Sequence, residues 1–284
     1  MKMKKSILAF LTATSLLVPA LLFTACKDEN SALPPTIETP VPPQENPENP
    51  ENGNLATPPS TDGEINAPVI TPVKKQAEYI RCTGSSVNFR SGAGATYPVI
   101  GSAKKNEIYA LVGKTGNWYK TYYRGKEVYI SADYVSVLSL TKTDERVEKV
   151  LDEGYTLLGV PYVYGAVRFH DGKGNKLGGF TTQKFDCSSL VQYVFYKGAN
   201  AILDVTTRTQ VKQGKFVKKS EIQRGDCIYF TNESRQHLSG VERVGHVAIY
   251  LGDNYILHTA SDYARIEKMT SARWGFYIET RRFV

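Results

Sequence analysis

A cysteine and two histidines are the residues of this chain whose types and order could carry covalent chemistry. Cys187 lies in Phe185-Asp186-Cys187-Ser188-Ser189, His246 in Gly245-His246-Val247-Ala248-Ile249-Tyr250-Leu251-Gly252, and His258 in Tyr255-Ile256-Leu257-His258. An ionised thiol is a strong nucleophile. A neighbouring imidazole can take its proton, and a second polar group can hold that imidazole in the right tautomer. The set therefore has the composition of a nucleophile (Cys187), a general base (His246) and an orienting group (His258). A metal site from the same three side chains is the alternative, but no close-spaced ligand pair such as H-E-x-x-H accompanies them. No fingerprint for a nucleotide, flavin or metal appears, so no cofactor is expected. The other two histidines, His170 and His237, sit among Gly, Asp, Asn, Ser and Arg and read as solvated loop residues.

Positioning these groups takes a helix and a hairpin. Leu190, Val191, Val194 and Phe195 recur at helical spacing. Asp186 is a good N-cap residue, which places Cys187 in the first turn. The positive end of the helix dipole and its unpaired N–H groups favour a thiolate there. The amide of Cys187 is a candidate oxyanion donor. A cysteine at such a place can also be a small buried hydrophobe, and the histidines decide between the two. Val244 to Leu251 reads as a strand, Gly252-Asp253-Asn254 as a turn, and Tyr255 to His258 as the returning strand. Side chains alternate faces along a strand. A three-residue loop pairs Ala248 with His258 and puts His246 on the same face. A two-residue loop puts the histidines on opposite faces unless a bulge corrects the register.

The same residues resemble the NlpC/P60 family of cell-wall cysteine peptidases, which are papain-like thiol hydrolases. Leu158-Gly159-Val160-Pro161-Tyr162-Val163-Tyr164-Gly165 is similar to the segment opening the family's catalytic domain, and Phe185-Asp186-Cys187-Ser188 to its nucleophile motif. Arg224-Gly225-Asp226-Cys227-Ile228-Tyr229-Phe230 resembles the turn and strand before the histidines, and the segments of His246 and His258 follow in order. The resemblance implies an α+β fold with a central antiparallel sheet packed on helices, over residues 140–284. An earlier helix over about 143–158 accompanies it, with Val147, Val150, Leu151 and Leu158 on its apolar face. It further implies hydrolysis of peptidoglycan stem peptides at the γ-D-glutamyl bond to diaminopimelate or lysine, through a thioester. Tyr164 matches a family tyrosine near the nucleophile that can steady the oxyanion or substrate. Asp186 and Ser188 flank the thiol as candidate substrate contacts, with helix capping the other role open to Asp186. Ala166 stands where glycine is frequent, Ser189 stands where glycine commonly follows Cys-Ser, and residues 166–184 form a longer Gly-rich insertion. A thiol amidase or transferase on another envelope substrate is the alternative chemistry, and a non-catalytic wall-binding protein the alternative class.

Upstream, short β-branched and aromatic runs separated by glycine argue a small all-β barrel. Asn88-Phe89-Arg90-Ser91-Gly92 and Trp118-Tyr119 resemble a bacterial SH3-like (SH3b) domain over residues 77–139. Residues 1–25 have three lysines and then an apolar run, the pattern of a signal peptide. Phe23-Thr24-Ala25-Cys26 resembles a lipobox, which makes Cys26 a lipidation site and the membrane a partner through the lipid. Ordinary secretion is the alternative. Residues 27–77 hold eleven of the fourteen prolines and read as a disordered linker. At roughly 3.1 Å per residue the linker could extend up to about 150 Å. The chain carries +7 overall, while residues 26–77 hold three lysines and eight acids and residues 1–25 three lysines, which leaves +9 on residues 78–284. That balance suits an anionic wall polymer. The export pattern argues against nucleic acid, and a monomer is expected. Cys82 and Cys227 fall in different predicted domains and read as separate buried thiols.

Overall fold

The computed structural model describes residues 75–284. Cys26, the signal pattern and the proline-rich linker lie outside the described residues. Eight strands come first: β1 (Gln76–Cys82), β2 (Ser86–Arg90), β3 (Val99–Lys104), β4 (Ile108–Ala110), β5 (Gly113–Thr115), β6 (Trp118–Tyr123), β7 (Lys126–Ser131) and β8 (Val135–Thr141). Helices α1 (Glu145–Thr156), α2 (Cys187–Ala199) and the single turn α3 (Thr207–Gln210) follow. Then come β9 (Lys215–Val217), β10 (Cys227–Phe230), β11 (His246–Gly252), β12 (Tyr255–Ala260), β13 (Tyr263–Lys268), α4 (Ser271–Gly275) and β14 (Tyr277–Arg282). The result is α+β, with a small all-β barrel followed by a sheet packed on helices.

The two parts are not separate bodies. Strands β3-β2-β7-β6-β5 form one sheet, while β8, β1 and β4 of the barrel continue into the second, in the order β8-β1-β4-β13-β12-β11-β10-β14-β9. The seam is the antiparallel pairing of Ile108 with Ile266. The sequence suggests two domains, each with its own core. Instead, one apolar cluster runs from Tyr79 and Phe89 of the barrel to Leu151, Leu190 and Leu257. The physical reason includes a buried polar contact across the seam, braced by a buried ion pair on the sheet side. The Tyr79 and Tyr155 hydroxyls are 2.5 Å apart. Arg224 donates to both oxygens of Glu148 (2.7 and 2.9 Å) and to the Tyr155 hydroxyl (3.0 Å). Burying any of these groups alone would cost several kcal/mol, so barrel and sheet stabilise each other.

Helix α1 starts at Asp144, whose carboxylate accepts from the amides of Arg146 and Val147. Its buried face includes Val147, Val150 and Leu151, and Leu158 just beyond its end is also buried. It lies so close to α2 that a Cβ on Gly198 would sit 2.4 Å from the Val150 Cα. Helix α2 in turn packs on β11 and β12, the strands of the two histidines.

Candidate active site

Cys187 is the first residue of α2, and its position is fixed by a reciprocal cap. Asp186 Oδ1 accepts from the Ser189 amide (2.8 Å), and Ser189 Oγ accepts from the Asp186 amide (2.9 Å). Ser189, where the family commonly has glycine, thus closes a capping box. Asp186 Oδ1 also accepts from Ser188 Oγ (3.0 Å), and Oδ2 accepts from Arg168 Nη1 (2.7 Å) and the Gly165 amide (3.2 Å). Arg168 Nη2 donates to Ser188 Oγ (3.0 Å). Asp186 and Ser188 are 4 % and 3 % exposed, and their hydrogen bonds close the Cys187 turn and tie it to Arg168 and Gly165.

The arginine comes from the 166–184 insertion, which folds onto α2 rather than hanging in solvent. Phe169 meets Phe180 and Tyr193 at 5.0 and 5.4 Å between ring centroids. Gln192 Nε2 donates to the His170 carbonyl (3.2 Å). His170 is therefore fully buried, contrary to the solvated reading of its polar neighbours, because the flanking Phe169 carries it under the aromatic cluster. His237 is exposed, and Cys82 and Cys227 are buried free thiols.

Of the two routes the sequence leaves open, a three-residue loop or a bulge, the hairpin takes the bulge. Asp253 and Asn254 (φ 47° and 65°) make a two-residue turn that pairs Gly252 with Tyr255. The register then shifts between Tyr250 and Gly252, leaving Leu251 as the extra residue, and Ile249 pairs with Leu257. This β-bulge returns His246 and His258 to one face. His246 Nε2 and His258 Nδ1 are 2.9 Å apart.

A fourth residue extends the chain of contacts. His258 Nε2 lies 3.2 Å from Glu267 Oε1, and the same oxygen lies 2.6 Å from Arg273 Nη2. Nothing in the sequence singled out Glu267. The available signal is its place two residues along β13 from Arg265, which pairs directly with His258, so it shares that face. Burial opposes its charge, but His258, Arg273 and Arg265 hold the Glu267 carboxyl down at about 2. An ionised carboxylate can only accept. It therefore favours the proton of His258 on Nε2, which leaves Nδ1 to accept from His246 Nε2–H. The free nitrogen of His246 is then Nδ1, unprotonated and able to act as a base.

Cys187 and His246 line one cleft of about 820 Å³, together with Tyr162, Phe230 and Arg273. Cys187 is 8 % and His258 1 % exposed, while His246 is half-buried. Burial and the Asp186 carboxylate push the Cys187 thiol up to about 12, against the amides of Val247 and Ser188. Burial, His258 and Arg273 push His246 well below the ordinary histidine range. His258 is lowered by burial, with Glu267 opposing. The helix N-terminus alone favours a thiolate, whereas burial favours the neutral thiol and the neutral imidazole.

Tyr164 is 86 % exposed, on the rim of a second cavity of about 290 Å³ that also opens onto Cys187. Tyr162, two residues earlier, lines both cavities. Burial, then the proximity of Cys187, raises its hydroxyl to about 12. The structure thus puts Tyr162, rather than Tyr164, beside Cys187, because the bridge pairing of Tyr162 with Phe185 ties it to the Cys187 turn.

The NlpC/P60 family model matches residues 159–282, and the bacterial SH3 domain model matches residues 85–136. The gamma-DL-glutamyl hydrolase of Bacillus subtilis is 28 % identical over 151 residues, which is 52 % of this chain and 32 % of that protein. The murein DD-endopeptidase/LD-carboxypeptidase of Escherichia coli is 33 % identical over 119 residues, 40 % of this chain and 59 % of that one. A solved NlpC/P60 family structure from Bacillus cereus has 19 % identity and a TM-score of 0.39, covering 73 % of this chain and 63 % of its own. The chain spans about a third of the length of the first of these relatives.

Proposed function

Since residues 159–282 belong to the NlpC/P60 family, we propose that this protein is a cysteine endopeptidase that hydrolyses peptidoglycan stem peptides at the γ-D-glutamyl bond to diaminopimelate or lysine. The observation that carries the reading is the ordered contact chain Glu267, His258, His246, ending in the cleft that His246 shares with Cys187. Each step has a donor and an acceptor of the right kind. Cys187 Sγ attacks the carbonyl as its proton passes to His246 Nδ1, and the resulting imidazolium is stabilised through His258 by Glu267. Backbone N–H groups at the start of α2 face the developing oxyanion, with the Tyr162 hydroxyl beside them. The imidazolium returns its proton to the leaving amine, and water cleaves the thioester with His246 again the base.

The basic charge of residues 78–284 and the export pattern support an envelope substrate. Cys26 as a lipid anchor and the proline-rich segment as a tether fit the same reading. The test is mass spectrometry of defined muropeptides after incubation with the full chain and its Cys187→Ala variant. Cleavage after γ-D-glutamate that vanishes in the variant supports the assignment. Unaltered stem peptides, with the thiol demonstrably reduced, refute it.

A further inference from the structure

Strand β9 is short and basic, and it forms the outer edge of the larger sheet, paired with β14. Around it the chain reads Lys212-Gln213-Gly214-Lys215-Phe216-Val217-Lys218-Lys219-Ser220-Glu221, four lysines against one acid. All four lysines are exposed. Glu221 lies 3.5 Å from Lys218, and the Lys219 ammonium sits 4.7 and 5.1 Å over the rings of Trp274 and Tyr277. The nearby acids Glu279 and Asp226 already have partners in Arg281 (2.6 Å) and Arg282 (2.7 Å). Phe216 stands among the lysines with 55 % of its surface exposed. It is held in place: it pairs with Arg281 of β14, and a Cβ on Gly214 would lie 2.7 Å from the Arg282 carbonyl oxygen. Lysines on an edge strand can serve to guard it against pairing with another sheet. That role does not account for the pattern. Strand β8, at the other edge of the same sheet, carries no charged residue, and an exposed phenyl ring on β9 works against such a guard.

We propose that the β9 edge is an interfacial patch that binds the surface of an anionic lipid bilayer, with Phe216 entering the headgroup region and the lysines meeting the phosphates. A run of cations attracts any polyanion. The phenyl ring selects among them. Its burial is favourable where the partner has an apolar phase beneath its charge, which a bilayer has and a soluble polyphosphate lacks. Trp274 and Tyr277, half-buried beside Lys219, combine an apolar body with a polar tip and suit the same boundary. No residue from 212 to 221 lines either cavity that opens on Cys187, so binding at β9 uses none of the cleft. The inference stands apart from the peptidase reading.

The experiment is co-sedimentation of the full chain with vesicles of phosphatidylcholine alone and of equal parts phosphatidylcholine and phosphatidylglycerol. The N-terminal residues are common to every protein compared, so the variants report on the patch. The double variant Lys212→Gln, Lys218→Gln should weaken partitioning onto the anionic vesicles by on the order of 30-fold, about 5-fold for each lysine, and leave binding to phosphatidylcholine as it was. Phe216→Ser should weaken it by on the order of 10-fold, the effect of part of an exposed ring entering the boundary, and Phe216→Leu should restore most of that loss. All the substituted side chains are exposed, so the melting temperature should match wild type. Wild-type partitioning by both the lysine and the serine variants overturns the patch. A loss on removing the lysines with none on removing Phe216, matched by equal binding to polyglycerol phosphate in solution, also overturns it and assigns the run to an anionic wall polymer.

Discussion

Replacing Glu267 by Gln keeps the size of the side chain and removes its charge. The contacts of 2.9 and 3.2 Å, with the His258 ring between them, put the carboxylate roughly 8 Å from the His246 ring. At an effective dielectric of about 20, unit charges so placed interact by about 2 kcal/mol. Arg273, 2.6 Å from the same carboxylate, offsets roughly half of this for the imidazolium formed in the transition state. The remaining ~1 kcal/mol corresponds to about a 5-fold fall in kcat. A Gln amide that donates to His258 Nε2 would also reverse the tautomer relay and push the loss toward ~100-fold, still short of the about 10⁴-fold known when a group directly on the base is changed. Peptide cleavage followed from pH 4 to 8 separates this from simple damage. Glu267 raises the pKa of His258 and screens Arg273. Its removal therefore lowers the pKa of the histidine pair, and the acid limb of kcat should move to lower pH while kcat falls and KM holds. A Glu267→Gln enzyme with unchanged kcat and an unmoved acid limb would refute the relay.

Three further outcomes follow from the same geometry. His246 must be neutral to act as a base and its pKa is depressed by burial, His258 and Arg273, so wild-type kcat/KM should persist below pH 6.5 and fall only at more acid pH. An acid limb at or above the ordinary histidine value would show the site to be more hydrated than described. Arg168→Met leaves Asp186 buried without its partner, a change costing about 3 kcal/mol after allowance for partial exposure, or roughly 6–12 °C in Tm. Iodoacetamide should also alkylate Cys187 more slowly in that variant, since Arg168 lowers the thiol pKa; unchanged melting would mean that the insertion does not brace the nucleophile turn. Gly198→Ala places a methyl group 2.4 Å from backbone in α1, and calorimetry should register a loss of about 1–3 kcal/mol, whereas wild-type stability would show that the helices part freely.

What the sequence by itself determined is mostly local. The helix opening at Cys187 was legible because Asp186 and the stripe Leu190, Val191, Val194 and Phe195 lie within four turns of one another. The hairpin was legible because strand alternation and a polar turn are short-range signals. Even the need for odd register was readable, since the period of a strand is two. How that register arises was not: a bulge at Leu251 and a three-residue loop satisfy the same spacing, and only β-pairing to both neighbours chooses between them. Long-range packing decided the rest. Glu267 reaches His258 only because β13 lies beside β12, and Tyr162 displaces Tyr164 at the thiol only because it pairs with Phe185. His170, polar in its surroundings along the chain, is buried by aromatic residues far from it in sequence. The shared core of barrel and sheet belongs to the same class. Its contacts join Tyr79 to Tyr155 and Ile108 to Ile266, and no pattern within either segment reports the burial that the other supplies.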